Sequence, residues 1–357
     1  MPYERPAYLD PSVPTVTTKS VFGGMTSTSP VFPKPISIRE NFRRCAERNH
    51  PIWVPNSSAE FMSSLYSLVI GAPEADFSWR ERNRFIDWFG VDWTWVPEVG
   101  GPMLTPGVQF MDDITEYKER VKFPNLDDYD FEGNCAKYMA GYDGEKVLCV
   151  DIGLGCTERF VSLMGGYTDA MVAMALEPEA TRAFFEDFVD HECEFVDRLL
   201  KYVPADMLTY HDDWGTERDT FFSEQMMEDL LFEPTKRLFQ HIKQKGVVVE
   251  LHSCGNIKRF VPYMIDMGVD FMQIQARANN VPALKAEFGD RIGIDVGITP
   301  PMNAGKDELI SAIRENVDTY AKGGGYFTSV FAGSPELRWD ALAELYYYSR
   351  EYYEQEG

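Results

Sequence analysis

Residues 247–256 read VVVELHSCGN, and this stretch decides the fold class. It begins as a β-branched run typical of a buried strand and ends in a turn at Gly255 and Asn256. The preceding residues, 234–246, have helical character. From residue 146 onward the chain repeats this alternation of short β-rich runs and longer helical stretches. Such alternation is typical of β/α units that build a parallel sheet.

Six segments after residue 146 have the composition of buried strands. They are residues 147–152, 207–211, 247–252, 271–274, 292–296 and 326–330. Two weaker segments, 52–54 and 91–96, raise the count to eight, the number that closes a barrel. Between the strands, the segment 178–202 carries one apolar stripe at helical spacing and has Pro178 in its first turn. The sequence therefore predicts an α/β fold, a (β/α)8 TIM-type barrel, in preference to an open sheet.

The chain is predicted to consist of an arm and a barrel. Residues 1–36 are rich in Pro, Thr and Ser and are expected to form an irregular N-terminal arm, a candidate contact with a second copy of the chain. Residues 37–357 would form the barrel with helical decorations. The arm lacks the hydrophobic region of a secretory signal, and no uncharged apolar run approaches the ~18 residues of a membrane span. A cytoplasmic location is the simplest expectation.

Charge and motif content exclude several classes of partner. The chain has 34 Lys and Arg against 57 Asp and Glu, a net charge of −23. Such a chain repels a phosphate backbone and an anionic membrane surface, so neither nucleic acid nor membrane is an expected partner. Six cysteines without a C-x-x-C pair indicate reduced core residues rather than a disulfide framework. The signature sequences of dinucleotide and P-loop sites are absent.

His252 and Cys254 follow one of the predicted strands at the end where barrel enzymes carry their chemistry. Because side chains alternate along a strand, these two residues point to one face. A neutral imidazole and a thiolate at this spacing suit tetrahedral zinc. The alternative is a buried histidine with a hydrogen-bond partner beside a cysteine that packs as a small apolar group. The pair alone leaves both interpretations open.

A second candidate cluster follows the strand at 207–211. It packs four carboxylates into eight residues, namely Asp212, Asp213, Glu217 and Asp219. Such clustering raises the pKa of one member or supplies oxygen ligands, so Asp212 and Glu217 are the candidate catalytic residues. The alternative is a solvated acidic loop paired with Arg218.

Other polar residues at predicted strand ends are candidates for substrate contact. Tyr210 lies at the end of the strand before the acidic cluster, and Gln275 and Asp295 end the strands that follow residue 270. Together with His252 they would form a polar ring around the mouth of a barrel. Aromatic walls for a flat ligand are also conceivable, although most of these aromatic residues are expected in the core.

Several of these motifs together resemble the uroporphyrinogen decarboxylase-like superfamily, in particular its corrinoid-linked methyltransferase branch. The motifs are DDWGTE at 212–217, HSCGN at 252–256, MGVD at 267–270 and GGGY at 323–326. The resemblance runs from about residue 37 to the end and is strongest over 205–300. It implies a (β/α)8 barrel and methyl transfer that involves a cobamide. It also implies zinc, held by His252 and Cys254, that activates a thiol acceptor or polarises a methyl donor.

Two segments depart from the pattern of the superfamily. Residues 52–60 read IWVPNSSAE where the decarboxylases carry arginines that hold substrate carboxylates, so porphyrinogen decarboxylation is not expected. Residues 326–333 read YFTSVFAG and lack the further zinc cysteine of thiol-alkylating relatives. Cys156, Glu217, Gln275 or another residue then completes the ligand set, or the metal has been lost. A methoxylated aromatic donor becomes as plausible as a thiol acceptor.

The sequence thus predicts a methyltransferase that moves a methyl group between a small-molecule donor or thiol acceptor and a corrinoid. The corrinoid would be carried by a partner protein or bound as a substrate, and zinc would activate the reacting group. One alternative is a metal-free decarboxylase or lyase of the same superfamily, in which the carboxylates act. Another is a barrel that binds a ligand without catalysis.

Overall fold

The computed structural model describes residues 14–19, 26–75, 79–98, 100–301 and 303–356. Its strands are β1 (Thr15–Lys19), β2 (Thr26–Pro30), β3 (Phe61–Leu65), β4 (Arg84–Ile86), β5 (Asp92–Val96), β6 (Gly101–Leu104), β7 (Val147–Ile152), β8 (Met207–His211), β9 (Val248–Ser253), β10 (Phe271–Ile274), β11 (Gly293–Asp295) and β12 (Tyr326–Phe327).

The helices follow most of these strands in sequence. They are α1 (Ile38–Ala46), α2 (Ser57–Glu60), α3 (Tyr66–Ile70), α4 (Trp79–Arg82), α5 (Tyr117–Arg120), α6 (Phe131–Met139), α7 (Cys156–Met164), α8 (Tyr167–Leu176), α9 (Pro178–Tyr202), α10 (Glu224–Met226), α11 (Phe232–Gln244), α12 (Val261–Met267), α13 (Val281–Phe288), α14 (Lys306–Tyr320) and α15 (Pro335–Glu356). A π-helical turn, Met227–Leu231, joins α10 to α11. Within the described residues no helix combines the length and apolar composition needed to cross a bilayer.

The chain divides into two compact units. Unit 1 comprises the described parts of Met1–Met62, Asp143–Leu148 and Asp270–Gly357, and unit 2 comprises those of Ser63–Tyr142 and Cys149–Val269.

Unit 1 contains the parallel strands β10, β11 and β12. Its core is built around Phe42 of α1, which is 2% exposed. The Phe42 ring lies 5.1 Å from that of Phe61 and 5.9 Å from those of Phe271 and Phe327. The helix begins at Ser37, whose hydroxyl accepts a hydrogen bond from the backbone N–H of Glu40, as expected of a helix cap. Aromatic burial of this kind stabilises a small unit strongly.

Unit 2 contains the parallel strands β7, β8 and β9, together with an antiparallel sheet of β4, β5 and β6. The parallel register aligns Asp151 with Thr209, and Thr209 with Glu250. Two residues further along each strand, it aligns His211 with His252. Because side chains alternate, these polar residues share one face of the three strands. A polar strand face of this kind is unusual for a structural core. It indicates a candidate functional site toward the carboxyl ends of these strands.

The prediction of an α/β fold is confirmed, and all six main strand predictions correspond to β7 through β12. The helix predicted over 178–202 is α9 with the same bounds. The prediction of eight barrel strands is confirmed only in part. Seven described strands, β3 and β7 to β12, form the α/β part of the chain, one fewer than predicted.

Both added strand predictions were wrong as barrel strands. At 52–54 the backbone is satisfied by side chains instead of a neighbouring strand: Ile52 N–H donates to Asn41 Oδ1 at 2.7 Å, and Val54 N–H donates to Ser349 Oγ at 3.0 Å. The segment 91–96 does contain a strand, β5, but it pairs antiparallel with β4 and β6. All five of its residues are half-buried, as expected of a small sheet outside the main core.

The predicted arm contains a described hairpin. Strands β1 and β2 pair antiparallel, with Thr17 opposite Thr28. The rest of the arm that precedes β2, residues 1–13 and 20–25, lies outside the described residues. A domain boundary at residue 36, an oligomeric contact through the arm and a cytoplasmic location stay predictions.

Two glycines allow the loops after β8 and β9 to approach each other closely. Gly255 has a φ of +82°, and a Cβ there would lie 2.1 Å from Gly215 O. The backbone N–H of the next residue, Asn256, donates to Thr216 O at 2.6 Å. Only glycine at 255 permits both this backbone conformation and this contact.

We expect Gly255→Ala to lower the free energy of unfolding by about 3 kcal/mol or more, because a clash adds to the strain of the left-handed backbone. The matched control is Gly144→Ala: Gly144 has a φ of +81° but nothing within 4 Å of its Cβ position. The control should cost only about 1–2 kcal/mol. Urea unfolding measures both, and equal costs would contradict the close approach.

Lys285 on α13 is a partly buried cation in unit 1. Its ammonium donates to Gly324 O at 2.9 Å. Burial lowers the pKa of Lys285 from 10.5 to about 8, and the neighbouring charge of Arg48 lowers it further against the opposing effect of Cys45. The folded protein therefore binds fewer protons than the unfolded chain between pH 8 and 10.5.

This difference in proton binding makes stability rise with pH in that window. We expect the melting temperature of the wild type to increase relative to that of Lys285→Met as the pH is raised from about 8 to about 10. Thermal unfolding followed by circular dichroism at several pH values measures the gap. A gap that is constant with pH would contradict the lowered pKa.

Candidate functional site

Three side chains at the ends of β8 and β9 converge in unit 2. One donor atom each of Asp213, His252 and Cys254 lies within 4.8 Å of the other two, and all three residues are half-buried. Cys254 Sγ is 3.6 Å from His252 Nε2, and His252 Nε2 is 3.8 Å from Asp213 Oδ1. This group is called the Asp213 cluster below.

The strand register brings these residues together. His211 of β8 lies beside His252 of β9, and the pairing continues for one more step as Asp212 N–H donates to His252 O at 3.0 Å. Two residues beyond the paired histidines, Asp213 and Cys254 lie on the same face. The backbone N–H of Cys254 donates to Asp213 Oδ1 at 2.7 Å, so the carboxylate is held in place by the neighbouring strand.

The donor set of the Asp213 cluster fits zinc. It offers one carboxylate oxygen, one imidazole nitrogen and one thiol sulfur. Catalytic zinc sites have three such protein ligands and one open position. Two donors bound to one tetrahedral zinc ion at normal bond lengths lie roughly 3.3–3.6 Å apart. The observed separations of 3.6 and 3.8 Å are close to that range.

Asp212, the neighbour of the cluster, is fully buried. Its carboxylate accepts hydrogen bonds from Thr157 N–H at 3.2 Å, Glu158 N–H at 2.9 Å and Trp214 Nε1 at 2.8 Å. Burial raises the pKa of Asp212 to about 7, although these N–H groups oppose the shift. The carboxylate thus fixes the first turn of α7 and the loop that carries Asp213.

Glu158 is a further carboxyl group beside the cluster, on the first turn of α7. Burial raises the pKa of Glu158 well above its ordinary value, and the charges of Asp213 and Asp212 raise it further. This carboxyl group therefore keeps a proton to higher pH than an exposed glutamate does.

His211 packs against His252 of the Asp213 cluster. The ring centroids of His211 and His252 are 4.8 Å apart. Burial lowers the pKa of His211 to about 3, and the charge of His252 contributes to that shift. His211 is therefore neutral at physiological pH and adds no positive charge beside His252.

A polar layer lies two residues before the histidines, with Thr209 and Glu250 buried, Asp151 half-buried and Ser63 exposed. Thr209 Oγ1 donates to Glu250 Oε2 at 2.7 Å, and Ser63 Oγ donates to Asp151 Oδ2 at 2.6 Å. Burial raises the pKa of Asp151, and the hydrogen bond from Ser63 opposes the shift. These hydrogen bonds allow carboxyl groups to remain on the buried face of the strands.

An aromatic pair borders the cluster. Tyr167 at the start of α8 stacks on Phe221 with ring centroids 4.2 Å apart, and Tyr167 is 37% exposed. Burial raises the pKa of the Tyr167 phenol, and the charges of Glu158 and Asp213 raise it further. The pair offers a flat, partly exposed surface beside the carboxylates.

The structure brings two of the predicted site residues together and gives the others different environments. His252 and Cys254 lie together, as the alternation of β9 requires. Tyr210 is fully buried, and its hydroxyl accepts a hydrogen bond from Cys156 N–H at 2.9 Å. Glu217 is exposed, on a hairpin closed by the bridge between Gly215 and Thr220.

Gln275 and Asp295 belong to unit 1. Asp295 is 7% exposed and accepts a hydrogen bond from Gln273 Nε2 at 2.6 Å. The main-chain oxygen of Gln275 accepts hydrogen bonds from Ala278 and Asn279 N–H. Their assignment to the substrate pocket stays a prediction.

The third donor of the cluster, Asp213, was not singled out from the sequence. The alternation of side chains along β8 and just beyond it distinguishes Asp213 from Asp212. Asp213 shares the face of His211, whereas Asp212 shares that of the buried Tyr210. Of the suggested third ligands, Cys156 is fully buried and contacts the Tyr210 hydroxyl.

Comparison with known proteins extends these observations. A family model described as uroporphyrinogen decarboxylase (URO-D) matches residues 86–336. A methyltransferase from Methanosarcina mazei superposes with a TM-score of 0.59 at 13% sequence identity, covering 87% of this chain and 98% of that one. An endo-1,4-β-xylanase from Caldicellulosiruptor owensensis, with 12% identity over 62% of this chain and 76% of its own, has a TM-score of only 0.31. A search of curated proteins found no match.

The likeness to the methyltransferase concerns the fold, because 13% identity carries no information on substrate. The xylanase is too dissimilar in structure to support an argument.

We expect Asp212→Asn to lower the free energy of unfolding by about 1–3 kcal/mol, because the amide NH2 group then faces a buried N–H donor. The matched carboxylate-to-amide control is Glu217→Gln, on the exposed hairpin, which should change stability by less than about 0.5 kcal/mol. Urea unfolding at neutral pH measures both variants. Equal effects would contradict the structural role of Asp212.

Proposed function

Because the chain belongs to the uroporphyrinogen decarboxylase (URO-D) family, we propose that it is a methyltransferase of this family that acts through the Asp213 cluster. The family match covers all three residues of the cluster and confirms the resemblance to the uroporphyrinogen decarboxylase-like superfamily, while its corrinoid-linked branch is part of the proposal. The methyltransferase from Methanosarcina mazei supports this choice through its shared fold. The observation that carries the proposal is the convergence of an oxygen, a nitrogen and a sulfur donor at the strand ends.

The proposed metal is zinc, held by Asp213, His252 and Cys254. When bound, zinc would supply Lewis-acid activation of the heteroatom that loses or receives the methyl group. In this proposal the third ligand is Asp213, another residue than Cys156, Glu217 or Gln275.

The residues around the cluster prepare it for that role. The N–H of Cys254 holds Asp213, and the hydrogen bonds to Asp212 hold the loop and the first turn of α7. Because His211 beside His252 is neutral, its ring carries no positive charge that would repel a metal ion bound by His252. In this proposal Asp212 is a positioning residue, and Glu217, on the exposed hairpin, is retained as the candidate catalytic residue.

The proposed substrates are a small methyl donor or acceptor and a corrinoid, which is carried by a partner protein or bound directly. The stacked pair of Tyr167 and Phe221 supports a methoxylated aromatic donor, since a flat ring would pack on its exposed face. Gln275 and Asp295 are retained as candidate pocket residues.

A metal-free decarboxylase or lyase is the second candidate function. The name of the matching family favours it, as does the presence of two carboxyl groups on one strand face, those of the buried Glu250 and the half-buried Asp151. Such an enzyme would use these carboxyl groups for proton transfer and would need neither His252 nor Cys254 as a ligand.

We expect the purified, untagged full chain to contain about one zinc ion, because a catalytic site with three protein ligands binds one. Cys254→Ala and Asp213→Ala should each retain clearly less zinc than the wild type after dialysis against a chelator, since removal of a ligand weakens metal binding tenfold or more. Cys193→Ala is the matched control, because this half-buried cysteine lies on α9 outside the cluster. Elemental mass spectrometry measures the content.

Wild-type zinc content in Cys254→Ala would contradict the metal site. Methyl transfer from a panel of methoxylated aromatics to free cob(I)alamin, kept reduced by a chemical reductant, and from methylcobalamin to thiols, then tests the reaction class. Release of CO2 without a corrinoid, at an equal rate in wild type and Cys254→Ala, would instead support the lyase.

A further inference from the structure

Unit 1 contains a cavity of about 700 Å³ that is separate from the Asp213 cluster, because all of its lining residues belong to unit 1. Its size lies within the range of roughly 300–1,000 Å³ that is usual for small-molecule sites. An apolar cavity of roughly 150 Å³ is enough to hold one benzene ring. The cavity of unit 1 therefore has room for a molecule of two or three rings.

Aromatic rings form much of the cavity wall. Phe32 and Tyr346 stack with ring centroids 5.2 Å apart and an interplanar angle of 7°, and Trp53 packs edge-on to Tyr346 at 5.6 Å. The aliphatic side chains of Ile36 and Leu345 also line the cavity. Walls of this kind are typical of pockets that take a largely apolar ligand.

The polar atoms of two of these rings already have partners within the protein. The Tyr346 hydroxyl donates to Pro33 O at 2.5 Å and accepts from Arg350 Nη1 at 3.1 Å. Trp53 Nε1 donates to Glu60, whose two oxygens both lie 3.1 Å from it. A ligand would therefore contact the apolar surfaces of these rings and not their polar atoms.

The charged groups of the lining compensate one another. Lys34 Nζ lies 3.1 Å from Glu60 Oε1, and the two side chains are 18% and 8% exposed. Burial lowers the pKa of the half-buried Lys146, and the charges of Asp143 and Glu60 oppose that shift. Together with Glu145, three carboxylates accompany two lysines, so the lining has no excess of positive charge that would attract an anion.

The acidic side chains do not provide a buried site for a cation either. Asp143 and Glu145 are exposed to water, which screens their charges. Glu60 is engaged by Lys34, by the Trp53 indole and by Asn56 N–H at 3.2 Å. An ion that entered the cavity would lose its hydration, whereas both members of the Lys34–Glu60 pair already have partners.

We propose that this cavity binds an uncharged aromatic molecule of two or three rings, which packs on Phe32, Trp53 and Tyr346. The proposal goes beyond the methyltransferase function and does not depend on it, since the cavity and the Asp213 cluster lie in different units.

Titration of the full chain with Nile red tests the proposal, because this uncharged multi-ring dye becomes fluorescent in apolar surroundings. We expect saturable binding of about one dye molecule per chain. Competition uses three compounds with the same pair of rings, namely 2-naphthalenemethanol, the anion 2-naphthoate and the cation 2-naphthylmethylammonium. The alcohol should displace the dye at a concentration about tenfold or more below that of either ion, because burial of an ion without a free countercharge is unfavourable.

Two variants locate the binding. Ala59→Phe, on α2, inserts a ring into the cavity and should weaken the binding of the dye about tenfold or more, because the space is then filled. Ile36→Asn removes part of the apolar wall and should weaken binding about fivefold. The matched controls, Ala286→Phe and Ile86→Asn, lie at exposed positions outside the cavity and should leave binding unchanged. Circular dichroism checks that each variant is folded.

The absence of saturable dye binding to the wild type would overturn the proposal. Displacement of the dye by either ion as readily as by the alcohol would also overturn it, since the cavity would then recognise charge. Binding that is unchanged in both Ala59→Phe and Ile36→Asn would assign the dye to another part of the chain and would be equally contrary.

A cross-comparison separates this proposal from the proposed function. Cys254→Ala should bind the dye as the wild type does, and Ala59→Phe should keep the zinc content of the wild type, because the two sites share no residue. The cavity and the metal site can therefore each fail without the other.

Discussion

The candidate site depends on the hydrogen-bonded register between β8 and β9. With His211 beside His252, the next residues on the same face are Asp213 and Cys254, and a backbone hydrogen bond joins them. A shift of one residue in either strand would turn one partner to the opposite face, because side chains alternate with a period of two. The chemistry of the site is therefore a property of the pairing of two strands.

Buried hydrogen bonds hold that register to the surrounding structure. Asp212 connects the loop after β8 to the first turn of α7 and to the Trp214 indole, and Ser253 Oγ accepts from Trp214 N–H at 2.9 Å. A carboxylate in this position is costly to bury, and the cost is offset only when all of these donors are in place. Small deviations of the loop are thus unfavourable, and the donors of the cluster are preorganised.

The parts of the fold that could be predicted from sequence are those in which local pattern and tertiary environment agree. The strands β7 to β12 are apolar runs between helical segments, and α9 has a clear stripe. The segment at 52–54 has a strand-like composition, but the side chains of Asn41 and Ser349 satisfy its backbone, a long-range interaction that composition does not encode. Likewise, the choice between Asp212 and Asp213 requires the register with β9, so the sequence indicated His252 and Cys254 but not their oxygen partner.

The partial exposure of the three donors has a consequence for metal selectivity. Asp213, His252 and Cys254 are each half-buried, so ions from solution reach them in the folded protein. If the proposed site binds a metal ion through these three donors, the nitrogen, sulfur and oxygen set would impose little geometric discrimination, and its affinity would rise along the first-row series to copper. Zinc occupancy of the proposed site would therefore also depend on the supply of zinc relative to copper during growth.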